Sequence, residues 1–165
     1  MKKCCIWILA VLLLTGCAME QTMETVADEW VEPVMGSPGE IYVDLPDEAA
    51  VPAVDSGSER MYLCRDYEIL IQTLEGGDLS RTIQTLCGMS REDLTVMQTK
   101  RQDMPCYEFV WAAAGESGDR LGRAVVLDDG QYHYCMTVLR DAATAENCQV
   151  VWSHVFDSFC LGNPG

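Results

Sequence analysis

Four segments with strand periodicity follow one another between residues 94 and 139, and this arrangement limits the fold most strongly. The segments cover residues 94–100, 106–113, 121–127 and 132–139. Their connections are short, whereas a crossover between parallel strands needs about a dozen residues or more, so neighbouring strands must run antiparallel. Asp128-Asp129-Gly130 joins the last two segments and is a hairpin signal, because glycine readily accepts a positive φ. The sequence therefore predicts an antiparallel β-meander.

One further strand is predicted ahead of the meander, over residues 62–74. It contains a bend at Arg65-Asp66. Apolar residues of one parity should share one face of this strand. They are Leu63, Tyr67, Ile69 and Ile71.

Two helices are predicted, one before the meander and one after it. Asp78 is a good N-cap and Gly88 stands where a helix commonly ends, so the first helix lies between them, and Ser90 opens a further turn. Its apolar face consists of Leu79, Ile83, Leu86 and Cys87. The second helix begins at about residue 142, with Asp141 or Thr144 as its N-cap. Its apolar residues recur at spacings of three and four and should cover one face of the sheet. They are Cys148, Trp152, Val155 and Phe159.

The order of strand, helix, four-stranded meander and closing helix resembles the PsbP-like α-β-α sandwich. The resemblance is carried by Gly-Arg-Ala-Val-Val at 122–126, by Asp129-Gly130, by residues 132–138 and by Phe-Asp-Ser-Phe at 156–159. It implies an α+β fold and a role as an accessory or assembly module, and it carries no family site residues over to this chain. The alternative is a cystatin-like α+β cone, which also packs a helix against a curved meander.

Residues 17–60 differ in composition from the rest of the chain. Between Ala18 and Arg60 there are 11 acidic residues against one basic residue, with four of the chain's six prolines. Such a segment buries too little apolar surface to offset its conformational entropy, so it predicts a disordered tether. Residues 40–45 alternate weakly, and an edge strand or a strand-addition segment is the alternative there. One globular domain is then expected over residues 61–162.

The N-terminus has the pattern of an export signal. Lys2 and Lys3 precede an apolar run of 11 residues, which is short of the roughly 20 that a membrane-spanning helix needs. The sequence Leu14-Thr15-Gly16-Cys17 resembles the bacterial lipobox. The resemblance implies that residues 1–16 are a signal peptide that is removed. It also implies that the Cys17 thiol carries diacylglycerol and that the new amino terminus is acylated.

Two or more acyl chains anchor a protein stably, so we expect lipid anchoring at the extracytoplasmic face of the cell membrane. An ordinary signal peptide that ends in a chance cysteine is the alternative.

The charge of the chain excludes nucleic acid as a partner. The formal net charge is −15, and removal of residues 1–16 would leave nine basic against 26 acidic side chains, a net charge of −17. This charge repels phosphate backbones, and no basic stripe is present to bind them. No cofactor is indicated.

The cysteines after Cys17 are an even set in an exported chain, which fits up to three disulfides. Buried free thiols are the equal alternative, because cysteine packs as a small apolar residue. Successive cysteines are 12 to 29 residues apart and no Cys-x-x-Cys occurs among them, so neither a zinc site nor a redox motif is indicated. The pairing is left open among Cys64, Cys87, Cys106, Cys135, Cys148 and Cys160.

The sequence offers no catalytic constellation, and we expect a protein that is not an enzyme. His133 and His154 are the chain's two histidines, and no Gly-x-Ser-x-Gly elbow is present. Both histidines are predicted to be structural. Asp128 and Asp129 fit turn chemistry, and calcium binding is their alternative.

The aromatic residues suggest where a partner could bind. Tyr107, Phe109 and Trp111 share one parity of a strand, and Tyr132 and Tyr134 share one parity of another. If both rows face the closing helix they are core, whereas an outward row would form a binding surface. We therefore expect a non-catalytic interaction or assembly module for envelope proteins. The alternative is a small-ligand binder or sensor with a cleft near Trp111, Tyr134 and Trp152.

Overall fold

An antiparallel sheet of seven strands dominates the computed structural model, which describes residues 36–115, 118–143 and 149–162. The strands are β1 (Ile41–Tyr42), β2 (Val54–Asp55), β3 (Glu59–Leu63), β4 (Tyr67–Glu75), β5 (Met97–Arg101), β6 (Met104–Gly115), β7 (Gly118–Asp128), β8 (Tyr132–Asp141) and β9 (Cys160–Leu161). The helices are α1 (Leu79–Cys87) and α2 (Gln149–Ser158). Short 3₁₀ turns occur at Asp47–Ala49 and Arg91–Asp93.

The predicted meander is confirmed. The large sheet has the order β2-β3-β4-β8-β7-β6-β5, and the consecutive pairs β5–β6, β6–β7 and β7–β8 are antiparallel. β5 begins at Met97 and not at residue 94, and Leu94 and Val96 ahead of it pack against the core that contains Ile83 of α1. The turn between β7 and β8 contains Gly130 with a φ of 89°, as the hairpin signal predicts.

The prediction of one strand over residues 62–74 is wrong. The chain turns back at residues 64–66, so β3 and β4 are two antiparallel strands with Leu63 opposite Glu68. Side chains directly opposite each other in a ladder lie on the same face. Tyr62 therefore shares a face with Ile69, and Leu63 points to the other face. The sequence had placed Leu63 on the same face as Ile69, and the chain reversal moves it to the opposite face.

Each face of the sheet carries one helix. α1 is confirmed together with its caps: the Asp78 side chain accepts a hydrogen bond from the Ser80 N–H at 2.9 Å, and Gly88 has a φ of 74°. On the opposite face Trp152, Val155 and Phe159 are buried at the end of the chain, as predicted. Asp141 is the last residue of β8 and not the cap of α2. Thr144 and Cys148 lie outside the described residues.

The prediction of a tether over residues 17–60 is wrong for residues 36–60. Here β1 pairs with β9, Ile41 and Ala49 are buried in the core, and the Gly39 N–H donates to the Tyr134 hydroxyl at 2.8 Å. Tyr67 also donates a hydrogen bond to Glu48 at 2.6 Å. Composition averaged over the segment conceals that Ile41, Val43, Leu45 and Ala49 pack into the core. Residues 17–35 lie outside the described part of the chain.

Candidate functional site

The α1 face of the sheet is only partly covered. α1 has nine residues, so it is about 13 Å long and about 10–12 Å in diameter. The seven strands make a sheet about 29 Å wide at about 4.8 Å per spacing. The core on this face joins Ile83 of α1 to strands β6, β7 and β8 through buried side chains, among them Phe109, Ala124, Val126 and Cys135. One short helix therefore leaves β2, β3 and part of β4 open.

An apolar surface lies on this open part. Val54 stands opposite Met61, which stands opposite Leu70, and the same row continues across β8 to Ala124 under α1. Leu63 lies two residues beyond Met61 on the same face. Leu63 is 58% exposed and Val54 41% exposed, while Met61 and Leu70 are half-buried. We call Val54, Met61, Leu63 and Leu70 the outer-strand patch.

Charged and polar side chains border the outer-strand patch. Gln72 donates to Glu59 at 3.0 Å, and Arg120 bridges Glu68 at 3.0 Å and Asp141 at 3.9 Å. Surface ion pairs of this kind add little stability. An apolar centre inside a polar rim is instead the ordinary anatomy of a protein–protein interface.

The opposite face of the sheet is closed by α2. Arg123 lies over the Phe156 ring with its guanidinium carbon 4.1 Å from the ring centroid, and Arg140 lies over Trp152 at 4.4 Å. Arg101 donates to the backbone carbonyls of Phe156 and Phe159 at 2.6 and 2.9 Å. These contacts fix the C-terminal end of α2 on the sheet. Towards the edge formed by β5 and β6, Met97 and Val110 stay exposed on this same face.

His133 is buried between α1 and the sheet. Its Nδ1 lies 2.7 Å from the Thr82 hydroxyl oxygen and its Nε2 lies 3.6 Å from an Asp128 carboxylate oxygen. The order Thr–His–Asp resembles a catalytic triad, but Thr82 is 4% exposed and His133 is 0% exposed, so neither side chain is open to solvent.

His154 lies on the other side of the sheet, on α2, where its Nε2 is 2.5 Å from Asp44. His154 and Asp44 are both exposed, and the Asp44 N–H donates to the Ser158 hydroxyl at 2.9 Å, so this contact joins α2 to the segment that follows β1.

The two aspartates of the β7–β8 turn serve the turn. Asp128 accepts from the Gly130 N–H at 2.8 Å, and Asp129 accepts from the N–H groups of Gln131 and Tyr132 at 2.8 and 2.6 Å. Desolvation raises the pKa of Asp129, but these bonds and one from the Tyr134 hydroxyl outweigh it, so the pKa lies below its usual value. No group of three or more metal-ligating side chains occurs within residues 36–115, 118–143 and 149–162.

The five cysteines in the described part of the chain carry free thiols. The sheet separates them, since Cys106 lies in the core under α2 while Cys135 lies in the core under α1. Burial raises the pKa of both thiols. Cys64 packs on the side of Cys106 and Cys87 on the side of Cys135, and Cys160 is in β9. A disulfide between the two buried cysteines is therefore ruled out by their positions.

The two aromatic rows face opposite sides of the sheet. Both are core, so the alternative of an outward binding surface is not realised, but only the row of Tyr132 and Tyr134 lies under the closing helix. Phe109 and Trp111 are buried under α1, with Tyr107 packed beside them. Tyr134 is buried under α2, with Tyr132 packed beside it. The rows therefore belong to two different core layers.

The predicted ligand cleft is not formed either, because Trp111 lies on one face of the sheet while Tyr134 and Trp152 lie on the other. A depression of about 390 Å³ lies where residues 38–41 meet the β2–β3 hairpin, and it is open to solvent with largely polar walls.

The outer-strand patch was missed by sequence reasoning. Val54 fell in the predicted tether, and Leu63 was assigned to the wrong face. The alternation of Met61 and Leu63 was the only sequence signal for this surface. Which face of the sheet the two residues lie on depends on the chain reversal at residues 64–66, and periodicity alone does not show that reversal.

Solved structures confirm the fold. The PsbP protein CyanoP from Synechocystis sp. PCC 6803 is similar with a TM-score of 0.51 and 13% identity, over 78% of this chain and 99% of that chain. LpqN of Mycobacterium tuberculosis has a TM-score of 0.50 and 9% identity, over 78% of this chain and 87% of that chain. The Ran-binding protein Mog1p of Saccharomyces cerevisiae has a TM-score of 0.49 and 13% identity, over 73% and 89%.

No family model and no curated protein matches the sequence. No helix among the described residues has the length and apolar character needed to cross a membrane. The chain has the PsbP-like α+β fold, with helices on both faces of the sheet and not on one face as in the cone alternative.

Proposed function

We propose that this protein is a lipid-anchored, non-catalytic interaction module that binds another envelope protein through the outer-strand patch. The observation that carries the proposal is an aliphatic surface on β2, β3 and β4 that no element of the described chain covers. Leu63 and Val54 are its most exposed members. Large exposed apolar patches that are rimmed by polar residues commonly mark protein–protein interaction sites.

The neighbours in fold are compatible with this role. LpqN is described as involved in cell envelope biogenesis. The depressions at residues 38–41 and 55–60 and at residues 64–68 are open to solvent, and their walls are more polar than apolar. A binding surface is therefore better supported than a catalytic or a ligand cavity.

The anchor in this proposal is Cys17, lipidated after removal of residues 1–16. The Gly36 N–H donates to the Gln131 side chain at 3.1 Å, and Tyr132 donates to the Gly36 carbonyl at 2.8 Å. The chain therefore enters the domain beside the β7–β8 turn. Leu63 lies at the other end of the strands, because it is opposite Glu68, which is in turn opposite Leu139 near the end of β8. The 18 residues from 18 to 35 span at most about 60 Å, so the anchor would keep the domain close to the membrane.

A charge placed in the outer-strand patch tests the proposal. The full chain and its Leu63→Glu variant are cross-linked mildly in native cells, and captured envelope proteins are quantified. Met97→Glu is the matched control, because Met97 is 59% exposed, close to Leu63, and lies on β5 at the opposite edge of the sheet.

We expect Leu63→Glu to reduce capture of a specific partner by about tenfold or more, as for an interface hot spot, and Met97→Glu to leave it unchanged. Equal capture by the two variants would refute the assignment of this surface. Replacement of Cys17 by Ser should separately release the chain from the membrane fraction if the anchor is correct.

A further inference from the structure

Part of β6 is a free sheet edge. β5 pairs with β6 only as far as Met97 opposite Glu108, whereas β7 pairs with β6 as far as Gly115. Residues 109–115 of β6 are therefore hydrogen-bonded on one side only among the described strands. In an antiparallel strand alternate residues direct both backbone polar groups to the same side, so about half of these residues present an N–H and a C=O to solvent. We call residues 109–115 the free edge.

The free edge lacks the devices that usually protect such strands. Exposed edges commonly carry lysine, proline, a bulge or an inward-pointing charge, because they otherwise template pairing with another strand. The free edge reads Phe-Val-Trp-Ala-Ala-Ala-Gly, with no charge and no proline. Val110 is 63% exposed, and the three alanines at 112–114 are exposed. Backbone groups and small side chains are thus open to a second strand.

We propose that the free edge pairs antiparallel with the free edge of a second copy of this chain, about a two-fold axis at Ala112. With this axis, a residue that follows Ala112 by a given number of positions lies opposite the residue that precedes Ala112 by the same number in the other copy. Val110 then stands opposite Ala114, and Trp111 opposite Ala113. Each large residue meets a small one, and Ala112 meets itself. The edge is therefore complementary to its own copy.

The surroundings of the free edge permit this pairing. Glu108 closes one end of it, and Arg123 holds that carboxylate at 2.8 Å while Arg101 lies 3.6 Å away. The Glu108 carboxylate next to the paired region is therefore neutralised by arginine. β5 pairs with β6 only before residue 109, and no described strand pairs with the outer side of residues 109–115. Leu94 and Val96, just ahead of β5, pack against the core on the α1 face. β2, with the outer-strand patch, lies at the other edge of the sheet, so the dimer leaves the proposed partner surface open and does not depend on it.

Cysteine cross-linking tests the register. Across the axis, Ala112 of the two copies would have Cα atoms about 4.5–5.5 Å apart, which is within disulfide range. Residue 114 would be about 14 Å from its own copy, which is far outside that range. Ala112→Cys and Ala114→Cys are matched variants, because both replace an exposed alanine on the same face of the same strand.

Both variants and the parent are made as the full chain, oxidised mildly at neutral pH, and analysed without reductant, and the linked peptide is identified by mass spectrometry. Circular dichroism checks that each variant is folded. We expect a severalfold excess of dimer linked through residue 112 over dimer linked through residue 114. Equal linking of the two variants, or no linking at residue 112 in a folded sample, would overturn the proposal. Sedimentation of the parent chain gives an independent readout, since a monomer at all concentrations would also refute the pairing.

Discussion

Gly122 accommodates the indole ring of Trp111, and adding a single methyl group there should destabilise the fold strongly. The two residues are directly opposite in the β6–β7 ladder. A Cβ atom at position 122 would lie 2.2 Å from Cε2 and 2.3 Å from Cζ2 of the ring. Ordinary carbon contacts are about 3.5–4.0 Å, so the ring would have to move by more than about 1 Å. It is 6% exposed and packs beside Phe109 with ring centroids 5.7 Å apart, so such a movement disrupts the core under α1.

The expected cost of Gly122→Ala is therefore at the upper end of overpacking effects, about 3 kcal/mol in the free energy of unfolding. For a domain of this size that corresponds to a fall of roughly 10 °C in Tm. Urea unfolding followed by circular dichroism measures it. Gly57→Ala is the control, because a Cβ there meets no atom within 4 Å, and it should change stability by no more than about 0.5 kcal/mol.

Positions 122 and 111 should also be energetically coupled. Trp111→Ala removes the ring that Gly122→Ala would clash with, so the double variant should be less destabilised than the sum of the single variants. Additive effects, or a Gly122→Ala variant as stable as the parent, would refute the argument that this glycine is required by the ring.

Three further outcomes are expected. Thr82→Val removes the buried partner of His133 and should lower the unfolding free energy by about 1–3 kcal/mol, whereas Thr82→Ser keeps the hydroxyl and should lose less in the same urea titration. Because the folded state lowers the pKa of Asp129, its stabilising contribution is present above the unfolded pKa of about 3.9 and is lost as pH falls through the lower folded value. Asp129→Asn should therefore flatten the fall in stability below about pH 4, and an unchanged pH profile would contradict this assignment. The thiols of Cys106 and Cys135 are fully buried, with pKa values raised by burial, so they should react with Ellman's reagent only after unfolding. Labelling of either thiol in the native protein, or of neither in denaturant without reductant, would contradict their description as buried free thiols.

Local signals determined much of the fold. The Asp78 cap, the glycine at position 88 and the apolar positions between them specify α1 without reference to the rest of the chain, and the structure has the helix at those residues. The β7–β8 turn is equally local, because Gly130 supplies the positive φ and the preceding aspartates accept hydrogen bonds from the turn backbone. The connections between the meander strands are too short for the crossovers that parallel strands need, so consecutive strands had to pair antiparallel.

The functional surface was decided by contacts between distant parts of the chain. Leu63 faces solvent because the chain reverses at residues 64–66 and because α1 is too short to cover β3. Residues 36–60 are ordered because β1 finds a partner in β9, more than a hundred residues later in the sequence. The sequence by itself determined the acidic charge and the positions of α1 and of the β7–β8 turn, since these depend on composition or on neighbouring residues alone. Only the tertiary structure decided which apolar residues stay exposed, because exposure depends on what the rest of the fold places over them.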